Sequence, residues 1–107
     1  MKQIPPPYYA VIFTSIRNDN NDGYDEWDNR MFELVENEEG YLGYESYRNP
    51  DGKGVTISYW KDLESLSHWR NNKLHQQAQE LGRLKWYEHY RIRVCKVERD
   101  YAFNREG

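Results

Sequence analysis

From Tyr8 to Ile16 the chain reads Tyr-Tyr-Ala-Val-Ile-Phe-Thr-Ser-Ile, apolar at almost every position. Successive strand side chains point to opposite faces, so Tyr8, Ala10, Ile12 and Ile16 line one surface and Tyr9, Val11 and Phe13 line the other. Such a strand wants cover on both sides, unlike the clean alternation of a sheet with one wet face. The cluster Arg17-Asn-Asp-Asn-Asn-Asp-Gly23 then predicts a loop, because its side chains compete for local backbone hydrogen bonds. Tyr24, Trp27, Met31, Leu34 and Val35 recur at three- and four-residue steps, which predicts a helix with one apolar stripe. Asp22 is its expected N-cap, and Gly40 its expected C-terminal cap. Asp25, Glu26 and Asp28 sit where the N-terminal dipole favours anions.

Tyr41 to Arg48 and Val55 to Trp60 flank the turn-forming stretch Asn49-Pro-Asp-Gly-Lys-Gly54, a hairpin signal. Asp62 is placed to cap a short helix carrying Leu63, Leu66 and Trp69. Asn71-Asn72 interrupts the pattern, and a second helical piece carries Leu74, Ala78 and Leu81 before Gly82 closes it. A long aromatic strand from about Leu84 to Val97 finishes the chain, with Trp86, Tyr90, Ile92 and Val94 on one side and Tyr87, Cys95 and Val97 on the other. The order β-α-β-β-α-β predicts an α+β fold of ferredoxin-like topology, a four-stranded antiparallel sheet with its helices on one face. The second face is then bare, although its residues are apolar. A second copy of the chain is the expected cover, each buried Å² contributing roughly 25 cal/mol before association costs.

At 107 residues the chain is read as one domain, with its core at about 8–97, an extended lead at 1–7 and a polar tail at 104–107. Aromatics reach 16% while the hydrophobic fraction is only 37%, a balance that suits interfaces and pockets as well as cores. A net charge of -3 supplies no basic footprint for nucleic acid or anionic lipid. Neither a signal-like apolar run nor a stretch approaching the ~20 apolar residues of a membrane span is present, and Cys95 is alone. These features predict a cytoplasmic protein with no membrane and no nucleic-acid partner.

The densest concentration of candidate chemistry is Ser58-Tyr59-Trp60, Trp69, His75, Ala78, Gly82-Arg83, Trp86-Tyr87, Tyr90 and Arg93. With Gly40-Tyr-Leu-Gly43, Glu45-Ser46 and Arg48 upstream, this spacing resembles the antibiotic biosynthesis monooxygenase (ABM) domain family, especially its small stand-alone bacterial members. The resemblance runs from about Tyr9 to Val97 and is most specific between Ser58 and Tyr90. It implies a homodimer joined through the open sheet face into a dimeric α+β barrel. It also implies a monooxygenase that oxidises a phenol- or quinol-like aromatic small molecule with O₂ and no cofactor. Other members degrade haem, and many have no assigned substrate.

Oxygenation without a cofactor needs a base to ionise the substrate, hydrogen bonds to the developing oxyanion, and a chamber that excludes water. His75, beside the apolar Leu74, Ala78 and Leu81, is the candidate catalytic base, since an imidazole changes charge near neutral pH. Trp69, Trp86 and Tyr90 are candidate substrate-binding walls, and Arg48 or Arg83 a candidate partner for a phenolate. The competing reading makes His75 a helix-border residue bonded to a backbone carbonyl, and Trp27, Trp60 and Trp69 plain packing residues. His68 and His89 are expected in solvent. Haem degradation fits less well, because the histidine position of those relatives falls on Gln79 and the first strand lacks their asparagine. No metal-ligand spacing is present. A non-catalytic barrel binding a small apolar ligand is the main alternative, and an RNA-recognition module, which shares the topology, a remote one.

Overall fold

A computed structural model describes residues 4–105. The elements are β1 (Tyr8–Arg17), α1 (Tyr24–Val35), β2 (Tyr41–Arg48), β3 (Lys53–Trp60), α2 (Leu63–Arg70), α3 (Lys73–Leu81), a π-helical turn (Gly82–Trp86) and β4 (Tyr87–Val97). The four strands form one antiparallel sheet in the order β2-β3-β1-β4, which is the ferredoxin-like arrangement. β1 is central, hydrogen-bonded to β3 on one side and β4 on the other.

The expectation of a barrel is corrected. β2 and β4 stand at the two ends of the strand order and do not pair, so the sheet is open rather than closed. Closure requires tilted, staggered strands that bring the edges together around a filled interior. Four strands spaced ~4.8 Å apart are too few to do so, and the helices fill one face instead.

That face carries Tyr9, Val11, Phe13 and Ser15 of β1. Its core is Val35, Trp60 and Trp69, with Tyr9, Val11, Met31, Leu34, Tyr41 and Leu66 packed around them. Trp60 is fully buried, its ring 6.4 Å from that of Trp69, and its Nε1 donates to Ser58 Oγ at 3.0 Å. An indole of ~200 Å² buried in this way contributes about 5 kcal/mol of gross hydrophobic gain. The opposite face presents Ile12, Val55, Ile57 and Tyr59, all half-buried. At its edge the exposed segment after β4 makes one contact, in which Asp100 accepts a hydrogen bond from the Tyr8 hydroxyl at 2.5 Å.

The expected cap at Asp62 is present, Asn72 proves to be a second, and local signals failed at three places. Asp62 Oδ1 accepts from Ser65 N at 2.8 Å, and Asn72 Oδ1 accepts from Leu74 N and His75 N, so both short helices start where their capping side chains dictate. Asp22 does not cap α1. Gly23, at φ +75, precedes the helix, and the Asp22 backbone carbonyl accepts from Trp86 Nε1 at 2.9 Å. Helix α1 ends at Val35 rather than at Gly40; the glycine, at φ +84, lies in the turn into β2, where an added Cβ would collide with the Ser65 side chain. Gly82 does not end α3 either. It is right-handed and buried, and a methyl group there would come within 2.9 Å of the Tyr87 ring, so its smallness lets the chain continue into the π-helical turn.

The same region revises the last strand. Leu84 to Trp86 belong to the turn, and β4 begins at Tyr87. Arg17 pairs with Tyr87 while Ile16 pairs with His89, so Glu88 is an extra residue at a bulge. A bulge resets the alternation of side chains. Tyr87 therefore faces the same way as Tyr90, against the parity expected from sequence. Among the described residues no helix is long and apolar enough to cross a membrane.

Candidate functional site

Between the helices and the sheet lies a cavity of about 340 Å³. Its floor is small: Ser46, Thr56 and Ser58 contribute side chains from β2 and β3, and Ser46 Oγ and Thr56 Oγ1 lie 2.7 Å apart and bond each other. Its walls are aromatic, with Phe13, Trp60, Trp69, Trp86, Tyr87 and Tyr90 among them.

His75 enters at one end. Asn72 caps α3 and fixes its first turn, so the imidazole is held flat against Trp69, with ring centroids 4.5 Å apart at 27°. Its Nδ1 is buried and has no hydrogen-bond partner. Burial pushes its pKa below the usual 6.5, opposed in part by the backbone carbonyl of Trp69. The ring is therefore a neutral imidazole at neutral pH, with a polar nitrogen lacking a protein partner.

The other end is polar. Arg48 donates from Nη1 to Gly52 O at 2.6 Å and from Nη2 to Ser15 Oγ at 2.8 Å, and Ser15 is buried. Asp28, in the first half of α1, lines the cavity. Burial raises its pKa and Asp25 adds to the rise, while Arg48 and Arg17 oppose it. Tyr24 packs edge-on against Trp86 at 5.5 Å, and the Arg17 guanidinium lies 3.4 Å over the Tyr24 ring. Tyr87 is held well above the usual tyrosine range, first by burial and then by Tyr24. Such a phenol keeps its proton at neutral pH and can donate a hydrogen bond.

Of the six residues picked from sequence, His75, Trp69, Trp86, Tyr90 and Arg48 all line this cavity. Arg83 does not. It is exposed on the π-helical turn and its Nη1 donates to the Tyr90 hydroxyl at 3.0 Å, so it touches the site only through that ring. Tyr90 in turn stacks on Phe13 at 5.3 Å. Trp60 and Trp69 are both core residues and cavity walls, so packing and pocket are one role here. Gln79, one turn after His75, also lines the space.

Asp28, Tyr24 and Ser15 were not picked. Asp28 falls at the spacing of Tyr24, Phe32 and Val35, on the buried side of α1, and that spacing was the available signal. It was masked by the dipole argument, which explains an acid near a helix N-terminus without asking which way it faces. His68 and His89 are exposed, with His68 Nδ1 3.0 Å from Glu38 Oε2. Among the described residues no three His, Cys, Asp or Glu side chains group to hold a metal ion.

A model of the family described as antibiotic biosynthesis monooxygenase matches residues 7–81. The uncharacterised protein YqjZ of Bacillus subtilis is 49% identical over 98 residues, covering 92% of this chain and 86% of that protein. Jasmonate monooxygenase ABM of Pyricularia oryzae is 34% identical over 91 residues, 83% of this chain but 35% of that longer protein. Among solved structures, SnoaB of Streptomyces nogalater, a cofactor-independent oxygenase, superposes with a TM-score of 0.74 at 9% identity, covering 89% of this chain and 97% of its own. Rv0793 of Mycobacterium tuberculosis gives 0.74 at 16% identity, covering 90% and 99%. At such identities the two structures speak to the fold alone.

Proposed function

We propose, from the premise that the chain belongs to the antibiotic biosynthesis monooxygenase family, that it oxidises an aromatic, phenol- or quinol-like small molecule with O₂ and without a cofactor. The observation that carries this reading is the buried, partnerless Nδ1 of His75 inside an aromatic-walled cavity. A neutral imidazole there accepts the proton of an acidic substrate. The resulting electron-rich anion is itself the reductant for O₂. When a ring methylene becomes a carbonyl, four electrons leave the substrate, one oxygen atom is retained and the other departs as water, so no external electron donor is required.

The remaining residues support that step. Trp69, Trp86 and Tyr90 offer flat faces on which an aromatic substrate stacks. Arg48 places positive charge at the end of the cavity remote from His75, which favours an anionic intermediate. A relative is named as a monooxygenase acting on jasmonate, and another fold neighbour as a cofactor-independent oxygenase, which favours the reaction class without naming this chain's substrate.

The apolar sheet face of Ile12, Val55 and Ile57 is assigned to a second copy of the chain, because no helix of the described residues packs there. Light scattering at micromolar concentration tests this assignment, and a monomer alone would refute it. Oxygen consumption with a panel of quinols and anthrones tests the chemistry. His75→Ala is expected to lose at least tenfold in rate. Equal rates in wild type and variant would remove His75 from the mechanism.

A further inference from the structure

Asp28 is an ionisable group that the fold has brought into the cavity and left without a hydrogen-bond partner among the described residues. Two guanidinium groups lie near enough to bias its proton affinity, yet neither bonds it. Arg48 spends its donors on Gly52 O and Ser15 Oγ. Arg17 donates from Nη2 to Asn20 O at 2.9 Å and Asn21 Oδ1 at 3.0 Å, with its plane against Tyr24. No ion pair and no hydrogen bond among the described residues reaches the Asp28 carboxylate. A half-buried carboxylate of this kind is costly unless something donates to it. The Nη hydrogen bonds of both cations run to the sheet and the loop, and the buried Arg17 Nε has no partner, so the Asp28 acceptor sites stay free while positive charge remains close by.

We infer that Asp28 is a substrate-binding residue that accepts a hydrogen bond from a hydroxyl on the substrate, at the opposite end of the cavity from His75. Seven residues of α1 separate Asp28 from Val35, which shares a core cluster with Trp69, and Trp69 stacks on His75. At 1.5 Å per residue Asp28 stands on the order of 10 Å along α1 from the core cluster on which His75 stacks. The ligand that satisfies both ends has a flat apolar body of two or more fused rings and a hydroxyl group at each end. The inference rests on the aromatic-substrate reading and narrows it. One hydroxyl meets Nδ1 of His75, the other meets the Asp28 carboxylate, and the rings stack against Trp86 and Tyr90.

The test compares 2,6-dihydroxynaphthalene with 2-naphthol by calorimetric titration under nitrogen, so that no turnover intervenes. Wild type is expected to bind the diol about tenfold tighter, the size of one hydrogen bond to a charged acceptor. Asp28→Asn is expected to lose most of that preference, and Asp28→Leu all of it. Leucine continues the apolar stripe of α1 and removes a buried charge, so the fold is not at risk. A preference unchanged in Asp28→Asn, or none in wild type, would overturn this inference and leave the aromatic-substrate reading standing. Failure of wild type to bind either compound would overturn both.

Discussion

Replacing Trp69 by alanine strikes the point where stability and site coincide. The ring is 8% exposed and lies between Trp60, 6.4 Å away, and His75, 4.5 Å away, at 27° to each. Truncating a buried tryptophan costs about 3–5 kcal/mol, of which each offset stack supplies roughly 0.5–1.5 kcal/mol. For a domain whose whole stability is about 5–15 kcal/mol this is a large fraction, so Trp69→Phe, which keeps one ring, is the companion variant. In urea, Trp69→Ala is expected to lower the midpoint by about 2 M with the slope unchanged, and the melting temperature by about 15 °C.

The second readout separates packing from the site. Burial is the main reason that the His75 pKa lies below 6.5, and Trp69 supplies one face of that burial. With the indole removed, water reaches the imidazole and its pKa rises back toward 6.5. NMR titration of the His75 ring, assigned by its loss in His75→Gln, follows this directly. A stability loss under about 1 kcal/mol, or a His75 titration unmoved by Trp69→Ala, would refute the reasoning.

Because the unfolded chain protonates His75 near 6.5 and the folded chain does so only at lower pH, wild-type stability should fall as pH drops through 6.5 toward the folded value and then level off. His75→Gln should flatten that limb in melting curves between about pH 8 and about pH 5, and superimposable limbs would contradict it. Gly40→Ala, which meets both φ +84 and the Ser65 side chain, is expected to cost about 1–3 kcal/mol in denaturant unfolding, and a loss below about 0.5 kcal/mol would be inconsistent with that collision. Arg48→Met strands Ser15 Oγ, while Gly52 O keeps the Arg17 backbone N–H, and should cost about 1–2 kcal/mol while weakening binding of phenolates; unchanged midpoint and affinity together would argue against both roles. Ile57→Glu, on the open sheet face, should shift sedimentation to the monomer, whereas an unaltered dimer would place the contact elsewhere.

The hydrophobic pattern carried the strand and helix order because it reports an average over many residues. The double-sided apolar run of β1 announced a strand with two faces to cover, Asp62 announced one helix start, and Asn71-Asn72 announced the break between α2 and α3. What sequence hid depended on contacts between distant residues. Gly82 read as a helix terminator because its close neighbour, the Tyr87 ring, becomes visible only when the π-helical turn folds back. The bulge at Glu88 put Tyr87 on the cavity side against simple alternation. Arg83 and Arg48 looked equivalent as cations beside aromatics, and both are exposed, yet Arg48 lines the cavity and bonds Ser15 while Arg83 bonds the Tyr90 hydroxyl from the π-helical turn. Asp28 had an adequate local explanation, and that concealed its orientation.

The small side chains of the floor are the key to why there is a site at all. A domain of this size that kept about 340 Å³ dry and empty would give up about 8 kcal/mol at 24 cal/mol per Å³, comparable with its entire stability. Space on that scale persists only if water or a ligand fills it and if the lining does not collapse inward. Ser46 and Thr56 satisfy each other, and Arg48 is tied across β1 to Ser15, so the floor has no polar group pulling the helices down. Trp60, Trp69 and His75 stack as a pillar at one end, while Tyr24, Trp86 and Tyr87 pack edge-on at the other. Rigid rings at both ends and short hydroxyl side chains between them hold the helices off the sheet. Two polar groups of the lining without a protein partner, the buried His75 Nδ1 and the half-buried Asp28 carboxylate, are therefore available to whatever occupies the space.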